Sequence, residues 1–276
     1  MRKPWLMSVA LAALLAALAA SAFAQEGSGA KEPEGGALSV EQIVEKTNRV
    51  AYYQGKDGSA RVRMTITDRQ LKTRTKEFTI LRRNQDEKDE EQNFYVYFHE
   101  PADERGTVFM VHKHVGKDDD RWLYLPALDV INRIAASDER TSFVGSHYFY
   151  EDVSGRGLDE DVHELVEDTG TYYVIKNTPK NPESVEFDAF KMWIHKETFL
   201  PVQVAFEKSG EVYRISKILK VDDIQGYKTV TKAQMTDEHI GGSTVIEYSD
   251  VKYDLDIPED IFTERYLRNP PREYIE

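Results

Sequence analysis

The chain contains no cysteine, which removes three possibilities at once. There is no disulfide framework, so stability has to come from a sizeable core. No cysteine nucleophile is available, and none can carry an N-terminal lipid anchor. Basic charge is also in short supply, with 36 Lys and Arg against 49 Asp and Glu and a net charge of −13. Gripping nucleic acid or adhering to anionic lipid headgroups needs a basic face, so both are excluded as main roles. Long apolar runs are scarce as well. The one near the start, Leu6 to Ala20, falls short of the roughly 20 residues of a spanning helix.

That run has a different reading. "MRKPWLMSVALAALLAALAASAFAQ" pairs basic Arg2 and Lys3 with a short apolar stretch, and Ala22-Phe23-Ala24 precedes Gln25. This is the layout of a secretory signal peptide, with cleavage expected after Ala24. Its removal takes away Arg2 and Lys3 and no acid, moving the net charge from −13 to −15. The expected product is exported, soluble and not membrane-anchored. Residues 25–37, "QEGSGAKEPEGGA", offer nothing to bury and read as a flexible linker. Residues 38–276 read as one domain without internal repeats.

Helix signals are few. "SVEQIVEKTNRVAYYQG" has Ser39 three residues before Gln42, the spacing of a capping box. Val40, Ile43, Val44, Thr47, Val50 and Ala51 follow on one helical face, and Gly55 ends the pattern. Beyond it the period becomes two. "ARVRMTITD", "EFTILRR", "NFYVYFHEP", "TVFMVHKH" and "RWLYLP" read as strands. So do "TYYVIKN", "VEFDAFKMWIH", "LPVQVAFEKSGEVYRISKILKV" and "YKTVTKAQMTDEHIGGSTVIEYSDVKYD". Compact turns are expected at Lys208-Ser209-Gly210-Glu211 and Ile240-Gly241-Gly242-Ser243. The acidic stretch Asn84 to Asn93 reads as a solvated hairpin loop. About a dozen strands without helical crossovers predict an antiparallel meander. With so little helix to cover it, the sheet is expected to curl and leave an incompletely filled apolar interior, which suits a lipid.

Catalytic constellations are missing. Gly145-Ser146-His147 lacks the second half of a nucleophile elbow. His112 and His114 share a strand face but have no further metal ligands. Asp118-Asp119-Asp120 lacks the spacing of a calcium loop, and Glu151-Asp152 near His147 forms no acid–base pair that the pattern singles out. The expectation is a protein that is not an enzyme and needs no metal or cofactor. Aromatic residues are the stronger lead: Trp122, Tyr124, Phe143, Phe149, Tyr150, Trp193 and Phe206 are the candidate cavity or lid residues. "RTSFVGSHYFYEDVSGRG" (Arg140 to Gly157) is rich in rings, yet neither alternates nor repeats at helical spacing.

The block "RWLYLPALDVINRIAASDERTSFVGSHYFYEDVSGR" (Arg121 to Arg156) resembles the signature of the periplasmic outer-membrane lipoprotein-sorting (LolA-like) family. "FLPVQVAFEKSGE" and "YSDVKYDLDIPEDIFTERYLR" are similar to the same family. The resemblance covers about Ser39 to Arg268. It implies a mainly β fold, a half-open antiparallel barrel with an N-terminal helix and short lid helices enclosing an apolar cavity. It also implies a periplasmic carrier of acylated lipoproteins or lipids, paired with an inner-membrane RND-type transporter and an outer-membrane acceptor. On this reading "TSFVGSHYFYED" forms part of a lid. Two rival readings are a lipid-sensing regulatory module and a structural partner of a membrane transporter with no cavity.

Overall fold

The computed structural model describes residues 37–85 and 91–276. The expected signal peptide, nearly all of the linker and the tip of the acidic loop lie outside the described residues. The expected helix spans Val40–Tyr52 (α1). Ser39 Oγ accepts from the Gln42 amide at 3.2 Å, and Gln42 Oε1 accepts from the Ser39 amide at 2.9 Å. Its buried residues, Ile43, Val44 and Thr47, belong to the apolar stripe read from the sequence.

Among the described residues thirteen strands form one antiparallel sheet. They are β1 (Asp57–Asp68), β2 (Thr73–Asn84), β3 (Gln92–Glu100), β4 (Val108–Lys113), β5 (Asp120–Leu125), β6 (Val130–Ile134) and β7 (Asp161–Asp168). They continue as β8 (Tyr172–Pro179), β9 (Ala189–His195), β10 (Pro201–Lys208), β11 (Glu211–Ile224), β12 (Tyr227–Asp237) and β13 (Gly242–Tyr253). The order across the sheet is β6-β5-β4-β3-β2-β1-β13-β12-β11-β10-β9-β8-β7. The chain starts mid-sheet and meanders to one edge at β6. It then crosses to the opposite edge at β7 and meanders back until β13 meets β1. The sheet is not closed, because β6 and β7 are its free edges.

The seam between the halves is set by apolar alternation. Val62, Met64 and Ile66 of β1 stand opposite Tyr248, Ile246 and Thr244 of β13. The turn at Ser209-Gly210 takes positive φ at both central residues, as the twist of a tight hairpin demands. The second expected turn is displaced. It falls before Gly242, because the Asp237 carboxylate accepts from the amides of His239 and Ile240, both at 2.9 Å, and so begins the reversal earlier. Gly242 is already in β13, where a side chain would run into the Thr67 carbonyl.

Two apolar layers result. On the inner face Phe78, Phe94, Val96, Phe98, Phe109 and Val111 join the inward residues of β1 and β13. On the outer face of β2 to β5, Leu81, Tyr95, Val108 and Met110 are covered by the C-terminal segment through Ile257, Ile261, Phe262, Leu267 and Ile275. This double burial explains why "NFYVYF" is apolar without alternation. Two strands, β6 and β7, are absent from the pattern read in the sequence. Both are edge strands with mostly exposed residues.

Candidate functional site

Among the described residues the longest connection in the sheet contains the ring-rich stretch. Residues 135–160 link β6 to β7 and run as a strap across the inner face. Its start is a small hairpin: the Phe143 amide donates to the Tyr148 carbonyl at 2.7 Å, with Val144 and Gly145 at positive φ in the bend. A single-turn helix, Tyr150–Ser154 (α2), follows. The turn inserts Phe143 into the inner core, against the rings of Phe109 at 5.3 Å and Tyr150 at 5.5 Å. Rings without periodicity therefore mark a segment that packs from above and is not itself part of the sheet.

Charged side chains of the sheet hold the strap. Arg121 of β5 donates to Asp119 and Glu139, both at 2.8 Å. Lys113 of β4 donates to the carbonyls of Ser154 at 2.8 Å and Gly155 at 3.2 Å. Thr244 of β13 bonds the His147 amide at 3.0 Å and its Nδ1 at 2.8 Å. Arg214 of β11 donates to the His147 carbonyl at 3.1 Å and pairs with Asp152. Arg140, within the strap, pairs with Glu186 at 2.7 Å and with Glu151, while Arg156 meets Glu151 at 3.1 Å and Asp161 at 3.0 Å. Arg214 and Arg121 are almost fully buried, and such charges are tolerable only when paired.

These surroundings shift several groups. Burial, then the neighbouring Glu151 charge, pushes Glu139 up to about 7 despite Arg121. Burial acts on Glu186 in the same direction, but hydrogen bonding and charge from Arg140, with Tyr213 assisting, bring it down to about 2. Burial lowers Lys113 below its ordinary value.

Between α1, the strap and the sheet lie two neighbouring, mainly apolar pockets, termed lobes below, which share Ala51, Tyr52, Tyr148 and Asp152 in their linings. The first, about 260 Å³, is lined by Met64, Phe78, Ile80, Phe94, Val96 and Ile246 from the sheet and by Phe143, Tyr148 and Val153 from the strap. The second, about 190 Å³, lies over β8 to β12 and is lined by Val44, Phe190, Met192, Val204, Phe206 and Met235. Its lining also includes the charged or titratable Arg140, Glu151, Arg156, Asp161 and His163.

Of the seven candidate residues, Phe143 lines the first lobe and Phe206 the second. Tyr150 packs beside Phe143 and Phe109 in the inner core. Phe149 sits between two guanidinium groups, Arg214 at 3.9 Å and Arg140 at 4.9 Å from its ring centre. Trp122 and Tyr124 point to the outer face, among the residues covered by the C-terminal segment. Trp193 alternates with inward Met192 and Ile194 and so also faces out. Tyr52, Arg140 and Arg214 were not among the candidate residues, and Tyr148 belonged to the ring-rich stretch read as a lid without being one of the seven. The "YY" closing the helix stripe was the one available signal for Tyr52.

The remaining polar candidates are engaged structurally. Ser146 Oγ accepts from the Tyr148 amide at 3.1 Å, while His147 bonds Thr244. His112 Nε2 bonds the Phe262 carbonyl at 2.7 Å, and His114 Nε2 bonds Asp120 at 3.0 Å. Glu151 and Asp152 face arginines.

The model of a family described as "uncharacterized protein" matches residues 90–269, most of the strap and sheet included. The chain belongs to that family. A DUF1329 family protein from Desulfovibrio piger is 25% identical, with a TM-score of 0.75 over 83% of this chain and 98% of its own. An outer-membrane lipoprotein-sorting protein domain from Vibrio parahaemolyticus is 23% identical, with a TM-score of 0.73 over 82% of this chain and 97% of its own. A LolA superfamily protein from Nitrosomonas europaea is 22% identical, with a TM-score of 0.66 over 83% of this chain and all of its own. The fold is therefore LolA-like, as the central block suggested. No curated protein matches the sequence.

Proposed function

We propose that this LolA-like protein is a periplasmic carrier that binds the acyl chains of lipoproteins or lipids and delivers them towards the outer membrane. The observation that supports it is the pair of mainly apolar lobes, walled by Met64, Phe78, Phe94, Ile246, Phe190 and Phe206 and roofed by α1 and the strap. Burying each methylene of a chain there contributes about 0.8 kcal/mol, so even part of an acyl chain is held firmly. Its role is binding, not catalysis. Phe143 and Phe206 are the candidate residues that would touch the chain. The cargo would come from an inner-membrane RND-type transporter and pass to an outer-membrane acceptor. Residues 1–24 would direct export and be removed.

The experiment is organic extraction and mass spectrometry of lipid that copurifies with the protein from its native envelope. Stoichiometric lipid of one class is the expected result. A lipid-free protein that also ignores added fluorescent fatty acid would leave the structural-partner reading.

A further inference from the structure

The charges around the two lobes are not committed alike. In the second lobe both arginines already face carboxylates. Arg140 meets Glu151 and Glu186, and Arg156 meets Glu151, Glu160 and Asp161. The first lobe has three charged residues in its lining, Arg82, Asp152 and Lys252. Asp152 is neutralised by Arg214. Arg82 is anchored by the Gln54 carbonyl, by the Gly55 carbonyl at 3.2 Å and by Asn84 Oδ1 at 2.6 Å. Lys252 is exposed and, among the described residues, its ammonium has no ion pair or hydrogen bond. On a chain of net charge −13, a lobe lined by two cations and one neutralised anion is the exception.

Sheet register gathers those cations at one end. Arg82 of β2 stands opposite Gly58 of β1, and Lys252 of β13 stands opposite Ser59. The two therefore flank the start of β1 from either side. Met64 of β1, with its partner Ile246, lies five residues beyond Ser59, about 17 Å away at the usual rise of a strand. Phe78, Phe94, Val96 and Phe143 join them at that deeper end. An amphiphile fits this polarity in one direction, with its chain inward and its head at the surface. Building on the carrier function proposed above, we infer that the first lobe holds one acyl chain ending in an oxyanion, a carboxylate or a phosphate, that pairs with Lys252 beside Arg82. A neutral ester gains the same apolar burial without the ion pair.

The test is equilibrium dialysis of labelled palmitate, hexadecyl phosphate and methyl palmitate against the purified full-length protein. At low salt at least one of the two acids is expected to bind about threefold to fivefold more tightly than the methyl ester, as an exposed ion pair contributes. The acid that shows the larger margin names the head group. That margin should shrink as salt is raised to about 1 M, which screens surface charges. Lys252→Gln is expected to remove most of the margin, and Lys252→Arg to keep it. Methyl palmitate bound as tightly as both acids would overturn the inference while leaving the carrier function standing. A margin that survives Lys252→Gln intact would overturn it too. Failure of all three probes to bind would remove both.

Discussion

The Tyr52 ring packs so closely against Gly155 that no side chain fits at that position. A Cβ built on Gly155 would stand 2.6 Å from Tyr52 Cζ, and Gly155 has φ +76°. Lys113 Nζ lies 5.4 Å from the centre of the same ring while donating to the Gly155 carbonyl. The end of α1, the strap and β4 thus meet at one point beside both lobes. Gly155→Ala combines a strained backbone with a steric clash and is expected to cost about 1–3 kcal/mol. Thermal melting checks this, and lipid binding should weaken in the folded fraction because Tyr52 lines both lobes.

Arg214 is fully buried, and its pairing with Asp152 and the His147 carbonyl ties β11 to the strap. Arg214→Met leaves the Asp152 carboxylate without its counter-ion and is expected to destabilise by about 3–5 kcal/mol. Urea unfolding measures the loss. Limited proteolysis should cut first within 140–157, since those residues lose their central tether.

Phe143→Ala should behave as a core deletion. The side chain is 1% exposed and sits among Phe78, Phe98 and Phe109, so a loss of about 3–5 kcal/mol is expected. Calorimetry of the two variants side by side checks that Phe149→Ala, which removes a ring from between two arginines and opens no inner-core gap, loses less.

Ala51→Trp isolates the cavity from stability. Ala51 is exposed yet lines both lobes, so an indole there fills binding space without disturbing the core. Stability should change by no more than about 0.5 kcal/mol, while copurifying lipid and fluorescent fatty-acid binding fall sharply. Unchanged lipid binding in a folded variant would show that the ligand sits elsewhere.

Glu139 should make the protein more stable in mild acid. Its pKa is about 7 in the fold, against an ordinary value of 4.5. The unfolded chain therefore releases this proton first as pH rises. The contribution is fully present below about 4.5 and is lost as pH rises through about 7. Glu139→Gln should flatten this part of the stability profile between those limits, measured by denaturant midpoints at stepped pH.

Much of the architecture was legible because local chemistry dictates it. Ser39 and Gln42 form the capping box read from their spacing, and the strong alternation of β1 and β2 identifies buried faces. The edge strands β6 and β7 were missed for the converse reason. With one side unpaired, most of their residues face solvent, and "VINRI" and "DVHELVED" carry little apolar signal. The site was harder still. In "RWLYL" every position after the arginine is apolar, so alternation cannot say whether Trp122 and Tyr124 or Leu123 points inward, and one residue of register reverses the answer. Leu123 packs on the inner core, and the two rings face out.

By itself, then, the sequence determined the capped helix, the two-residue rhythm and the short hairpins that make an antiparallel meander unavoidable, because each depends on neighbours a few residues apart. Tertiary structure alone decided which sheet face became the interior and where the strap crosses it. It also decided which carboxylates face Arg121, Arg140, Arg156 and Arg214, and that the space left over has two lobes. Those outcomes depend on contacts such as Arg214 with Asp152 and Tyr52 with Gly155, which join residues far apart in the chain and leave no periodic trace in it.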